Sequence, residues 1–142
     1  MIVLVQATIL TVGLNGRNES LKNLPVRLIT MQSGLEAARS LKNEKVNSVI
    51  SRWDLDDMPD GKFLKSLKAA KPYIPTIAFV RPGNTTQEVA ARALGVSAVL
   101  TEDASDETFR DTIVNLLGLQ GTIEIKAISP AEKPVKELMR ER

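Results

Sequence analysis

The chain has 142 residues, 43% hydrophobic and 25% charged, with a formal net charge of +2 and a sequence pI near 9.0. This is the make-up of one globular domain of ordinary size, long enough to bury a core, and it argues against disorder, a membrane protein or a dedicated nucleic-acid surface. There is no cysteine and no histidine, which removes disulfides, thiolate nucleophiles, His-ligated zinc and every Ser-His-Asp or Cys-His arrangement, so neither an enzyme nor a cofactor is expected.

The apolar opening runs from Met1 to Leu14 without a basic start or a span of about 20 residues, and reads as a first buried strand with its core at Ile2–Val5 rather than as a leader or an anchor. A cytoplasmic location goes with that reading. In the next connection Gly13, Asn15, Gly16 and Asn18 break up what should be a helix, which is expected to be short or distorted. Further apolar runs at Val26–Ile29, Val46–Ile50, Thr76–Val80 and Ala98–Thr101 read as strands. Helical periodicity fills the gaps at Leu35–Leu41, Phe63–Leu67, Val89–Leu94 and Phe109–Leu117. Gly34 marks a turn before a helix, Pro75 introduces the fourth strand, and Gly95 is a helix C-cap candidate. Strands that are apolar throughout are covered on both faces, so strand and helix in alternation predict an α/β three-layer sandwich around a five-stranded parallel sheet.

Two loops carry chemistry. Asp54, Asp56, Asp57 and Asp60, with Pro59 and Gly61, follow the third strand. Acids at the carboxyl end of a parallel strand suit a metal or phosphoryl site, but they equally suit a solvated loop that caps the helix starting near Gly61. Gly83–Thr86 precedes a helix; it suits an N-cap at Thr85 or Thr86 and, less simply, an anion cradle. Beyond Leu117 the pattern changes. Gly118 and Gly121 bracket a break, 122–128 alternates like a strand, and 130–142 carries Val135, Leu138 and Met139 at helical spacing. The expected division is a domain over 1–118 and an extension or linker over 119–142, solvated or used for dimerisation.

Asn47-Ser48-Val49-Ile50-Ser51-Arg52-Trp53, the Pro59/Gly61 loop, Pro75–Val80 and Ala93–Ala98 together resemble the receiver domain of bacterial response regulators over about Met1 to Leu117. The resemblance implies a flavodoxin-like sheet of order 2-1-3-4-5. It also implies positions for phosphorylation chemistry, and each holds the wrong residue. The acceptor position is Arg52, the magnesium acids fall on Gln6 and Ala7, the switch positions are Val80 and Val99, and the lysine position is Glu102. Arg52 is no nucleophile and stays protonated, and Gln6 offers only a neutral amide oxygen. Arg52 and Glu102 are expected on adjacent strands, where they can pair in place of aspartate and lysine, with Asp54, Asp56 or Asp103 as competing partners for Arg52. Trp53 is expected either exposed as a contact anchor or stacked over Arg52.

The resemblance therefore implies a pseudo-receiver, a phosphorylation-independent protein–protein interaction module. Its partner would be a sensor kinase, another signalling protein or a second copy, with no nucleic acid and no membrane involved. The expected partner face combines the fourth helix, fifth strand and fifth helix, drawing on Gln87, Arg92, Thr101, Glu107, Arg110 and Asn115. Two alternatives stand beside it. If Met58-Pro59 sets the alignment, Leu55 takes the acceptor position and Asp54 or Asp56 becomes a displaced acceptor. Alternatively the vacated cleft near Gln6, Arg52, Val80 and Glu102 binds a small molecule.

Overall fold

The computed structural model describes residues 7–21 and 23–118. Five parallel strands form one sheet: β1 (Ala7–Val12), β2 (Val26–Met31), β3 (Ser48–Arg52), β4 (Thr76–Val80) and β5 (Ala98–Thr101), in the order β2-β1-β3-β4-β5. Four α-helices alternate with them: α1 (Gly34–Asn43), α2 (Lys62–Ala70), α3 (Thr85–Leu94) and α4 (Asp106–Leu117). The link between β1 and β2 holds only a 3-10 turn, Arg17–Leu21. Positive φ at Gly13, Asn15 and Gly16 interrupts the chain there, as the glycines and asparagines predict. The expected extension over 119–142 lies outside the described residues.

One strand sits later than the apolar run suggested. Ile2–Val5 lies outside the described residues, and β1 pairs Ala7 with Val26 and Val12 with Met31, while Ile9 aligns with Ser48 of β3. The largely apolar stretch from Met1 to Leu14, broken only by Gln6, Thr8, Thr11 and Gly13, carries no strong turn signal before Gly13, so the register is set by the neighbouring strands. The other four strands lie within two residues of their expected ends.

Alternation along the strands feeds two cores. Leu10, Val12, Val49, Ala78 and Val80 pack with Ala37 and Leu41 of α1, Phe63, Leu64 and Leu67 of α2, and Ala91 of α3. On the other face Ile9, Ile50, Ile77 and Phe79 pack with Phe109 and Ile113 of α4 and Leu21 of the 3-10 turn. Phe79 and Phe109 meet edge to face, with centroids 5.2 Å apart, the arrangement favoured by the ring quadrupoles.

The loop after β3 is held to both layers. Trp53 is 3% exposed and stands in the first core, neither exposed nor over Arg52. A residue following Arg52 on a pleated strand turns to the opposite face, and the cation beside its ring is Lys65, 5.8 Å from the centroid. Gly61 (φ 71°) lies against the indole, where any Cβ would overlap the ring. Gly61 is itself the N-cap residue of α2, so no loop acid caps that helix. Asp57 caps α1 instead: its two carboxylate oxygens accept from the Gly34 and Leu35 N–H groups, each at 2.9 Å. Ser33 Oγ accepts from Glu36 N and the Ser33 carbonyl from Ala37 N. All four N–H groups that open α1 are thus satisfied. At α3 the N-cap is Asn84, one residue before the expected threonines, and it accepts from Gln87 N at 3.0 Å.

Gly61 and Gly83 both have positive φ (71° and 77°), but nothing lies near a Cβ at Gly83. Gly83→Ala should cost about 1 kcal/mol for the left-handed backbone. Gly61→Ala should cost about 1–3 kcal/mol beyond that, because the indole must also move; urea unfolding of the two variants measures the difference. The Gly34 N–H, and next the Leu35 N–H, hold the Asp57 carboxyl below its ordinary pKa. Its stabilisation is therefore full above the ordinary carboxylate range and is lost as pH falls through the lowered value. Asp57→Ala should lower the urea midpoint at neutral pH, modestly because Asp57 is exposed. The gap to the parent should close in acid.

Candidate functional site

The carboxyl ends of the strands meet at Arg52. It is the last residue of β3, aligned with Phe79 of β4. The register places Val12 beside Ser51, so the residues that follow β1 at the level of Arg52 are Gly13 and then Leu14. This corrects the sequence-based placement: β1 runs on five residues past Ala7 to Val12, and Gln6 lies outside the described residues. The correction does not restore acids. Leu14 is buried in the α4-side core, and Gly13 has no side chain. A Cβ there would lie 2.9 Å from Leu55 Cδ2 and 3.5 Å from Arg52 Cδ, so the space where a strand-end side chain would stand is filled.

Glu102 reaches Arg52, with its Oε2 3.5 Å from Arg52 Nε. The two side chains are 26% and 34% exposed, a half-buried pair screened enough to contribute at most about 1 kcal/mol. Their strands are not adjacent as expected, because β4 lies between β3 and β5. The pair therefore crosses the end of β4, where Val80 is buried and its carbonyl accepts from Glu102 N at 2.9 Å. Val99 is half-buried and packs against the α1–α3 core.

The loop acids do not compete for Arg52. Asp54 Oδ2 accepts from Gln87 Nε2 at 2.8 Å and lies 3.9 Å from Arg81 Nη2, while its Oδ1 accepts from Asp60 N at 2.6 Å. Asp57 is engaged by the first N–H groups of α1, Asp56 is exposed, and Asp103 accepts from the Thr101 hydroxyl. The residues around Arg52 do not fit a magnesium ion, which needs carboxylate or carbonyl oxygens. Among the described residues no three Asp, Glu, His or Cys side chains converge as a cation site.

Sequence reasoning missed Arg17. From the 3-10 turn its guanidinium donates to the carbonyls of Glu102 (3.3 Å) and Ala104, and it lies 5.7 and 5.6 Å from the ring centroids of Phe79 and Phe109. Its Nε is 3.8 Å from an Asp106 oxygen. Nothing in a loop broken by glycines signals where a side chain from it will land. Arg17, Arg52 and Glu102, with Gly13, Leu14, Asn15 and Phe79, line a half-open cavity of about 250 Å³.

The expected partner face is only partly a face. Arg92, Glu107 and Asn115 are exposed and Thr101 is half-buried. Gln87 is 8% exposed; its amide joins Asp54 to the Arg81 N–H, so it is a structural link. Arg110 donates to the Ser20 carbonyl, on the flank next to the 3-10 turn. Val89, 60% exposed on α3, was not anticipated, because its spacing reads as part of the helix's apolar stripe.

No family model matches the chain. It is 30% identical over 90 residues to the transcriptional regulatory proteins GlrR of Escherichia coli strain K12 and QseF of Escherichia coli O157:H7. The match takes in 63% of this chain but 20% of theirs, so the chain spans about a fifth of the length of these relatives. Among solved structures, the signal receiver domain of an HD domain-containing protein from Pseudomonas fluorescens superposes with a TM-score of 0.72 at 20% identity, covering 79% of this chain and 94% of that one. A CheY-like receiver domain protein from Methanospirillum hungatei gives 0.71 at 17% identity, again over 79% and 94%. A response regulator from Chloroflexus aurantiacus gives 0.72 at 16%, over 79% and 98%. With the same strand order and the same crossover pattern, the chain has the CheY-like, flavodoxin-type fold of receiver domains and is similar in sequence to transcriptional regulators.

Proposed function

We propose that the chain is a receiver-type signalling module that works without phosphoryl transfer and acts by binding protein in one fixed conformation. The observation that carries this reading is the set of residues at the strand ends. Arg52 closes β3, Gly13 and Leu14 follow β1, and Glu102 follows β5. Phosphoryl transfer needs a nucleophilic oxygen and cations around the transferring group. Here the nucleophile position is a guanidinium, and the side chain of Glu102 adds negative charge where a transferring phosphoryl group would need positive. The ion pair over β4 engages the acceptor and lysine positions with each other, which suits constitutive recognition better than switching.

The partner face in this reading is α3, β5 and α4, with Val89 and Arg92 on α3, Thr101 on β5 and Glu107 and Asn115 on α4. The partner is a sensor kinase, another signalling protein or a second copy of the chain. A non-enzymatic role, a cytoplasmic location and a bacterial two-component setting go with it, as does a division into a domain over 1–118 and an extension over 119–142. Among the described residues no helix is long and apolar enough to cross a membrane.

A displaced acceptor is disfavoured by the bonds of Asp54, which would have to release Gln87 and the Asp60 N–H to be phosphorylated. Asp56 is free to react but stands exposed, away from any cation arranged to receive the charge. With acetyl phosphate at millimolar concentration and magnesium present, the intact mass of the chain should stay unchanged. A phosphate-sized mass gain mapping to Asp54 or Asp56 would sink the proposal. Arg52→Asp should remain unlabelled as well, because Gly13 and Leu14 still supply no carboxylate to hold magnesium.

A further inference from the structure

The cleft at Arg52 holds a cation whose hydrogen-bonding capacity is unused. The Arg52 side chain is about three-quarters buried (26% exposed), yet its guanidinium makes no hydrogen bond among the described residues. Its single ionic contact is from Nε to Glu102 at 3.5 Å, beyond good hydrogen-bond length. The two terminal nitrogens, which form the flat fork that grips paired oxygens, are free. The Arg52 nitrogens are not among the buried unpartnered atoms, so they face the water of the cleft, and an acceptor there can take the place of that water. Arg17 adds a second cation to the same wall, and its Nε is buried without a hydrogen-bond partner among the described residues.

The space has the size and position to take a ligand. A volume of about 250 Å³ corresponds to roughly eight waters at ~30 Å³ each, enough for a small organic or inorganic anion but not for a nucleotide. It opens outside the carboxyl ends of β1 and β3, which run to opposite sides of the sheet through the order β2-β1-β3. This is the topological switch point, where ligands of open α/β sheets bind. Gly13 and Asn15 also line the cleft.

We propose that this cleft binds a small anion with a two-oxygen edge, a carboxylate or a phosphate, gripped by the Arg52 fork and seated beside Arg17. Each cation already faces one carboxylate, Arg52 facing Glu102 and Arg17 facing the exposed Asp106, so the cluster is near neutral overall and Glu102, in the cleft wall beside the Arg52 fork, sets the affinity. The site therefore favours small anions of low charge and holds them weakly until Glu102 is neutralised. Because the proposal concerns occupancy of the cleft and not the α3–β5–α4 face, either can fail without the other.

The test is a titration of the full chain, read by amide and arginine Nε–H NMR shifts, with inorganic phosphate in one arm and acetate in the other. Sodium chloride at matched ionic strength is the control. Shifts at Gly13, Asn15, Arg17 and Arg52 should saturate in at least one arm, and which arm saturates distinguishes phosphate from carboxylate. Arg52→Met should weaken binding at least tenfold. Glu102→Gln, which keeps the side chain's shape, should tighten it by roughly five- to tenfold. The proposal is overturned by shifts that stay linear in both arms, that match the chloride control, or that cluster at Asn84–Gln87 instead. Should Arg52→Met fail to fold, Glu102→Gln decides alone: an affinity equal to the parent's rejects the site.

Discussion

A protonated guanidinium at the end of a central parallel strand dictates the arrangement of everything around it. Arg52 cannot lose its charge, and a charge removed from water must find compensation. Compensation comes from two strands away: Glu102 crosses the end of β4 to meet it. The same residue's carbonyl accepts from Arg17, so Glu102 ties the 3-10 turn after β1 to the end of β3. Gly13 completes the arrangement by leaving room, because any side chain on it would press on Leu55 and Arg52. Three segments distant in sequence, around Gly13–Arg17, Arg52 and Glu102, thus meet at one point.

Pleating divides the consequences between the two faces of the sheet. Arg52 points into the cleft, so Trp53 must point the other way, into the core shared by α1, α2 and α3. Its backbone continues the sheet, donating to the Phe79 carbonyl at 2.7 Å, and its own carbonyl accepts from Gly61 N at 2.9 Å. The loop after β3 is therefore anchored at its entry by the sheet and at its exit by a glycine pressed on an indole. Arg17 plays the matching part on the opposite face, spreading its guanidinium over Phe79 and Phe109, the aromatic pair that joins β4 to α4.

Much of the fold could be read from the chain alone, because continuous apolar runs separated by amphipathic segments leave little besides a parallel sheet covered on both faces. The broken first helix was legible in Gly13, Asn15 and Gly16. What periodicity could not place was the register of β1, since the largely apolar stretch from Met1 to Leu14 has no strong turn signal before Gly13 and pairing with β2 and β3 decides it. That error moved the strand-end residues from Gly13 and Leu14 to Gln6 and Ala7. At the site, Arg52 and Glu102 were legible because each ends a well-bounded strand, although their separation by β4 was not. Arg17 was illegible because its contacts span some 85 residues of sequence and come from a loop without periodicity. Gln87 looked like surface because a polar residue in the first turn of a helix is usually exposed, and it is the Asp54 carboxylate and the Arg81 N–H on either side of its amide that make burial tolerable.

The acids after β3 invite a chemical reading, and their geometry gives them mechanical work instead. Asp57 meets the positive end of α1 with both oxygens, where a carboxylate is stabilised by free N–H groups and by the helix dipole. Asp54, through Gln87, fastens the start of α3, and through Asp60 N it closes its own loop. One short loop thus braces two helices on the same side of the sheet, using charges that in another arrangement would gather around a metal. A loop held at so many points has little freedom to rearrange when something enters the neighbouring cleft. In the proposed reading a ligand or protein partner meets a preformed surface, and the ordering cost that weakens association is largely met in folding. The same bracing that argues against a phosphorylation switch favours binding to a single, stable shape.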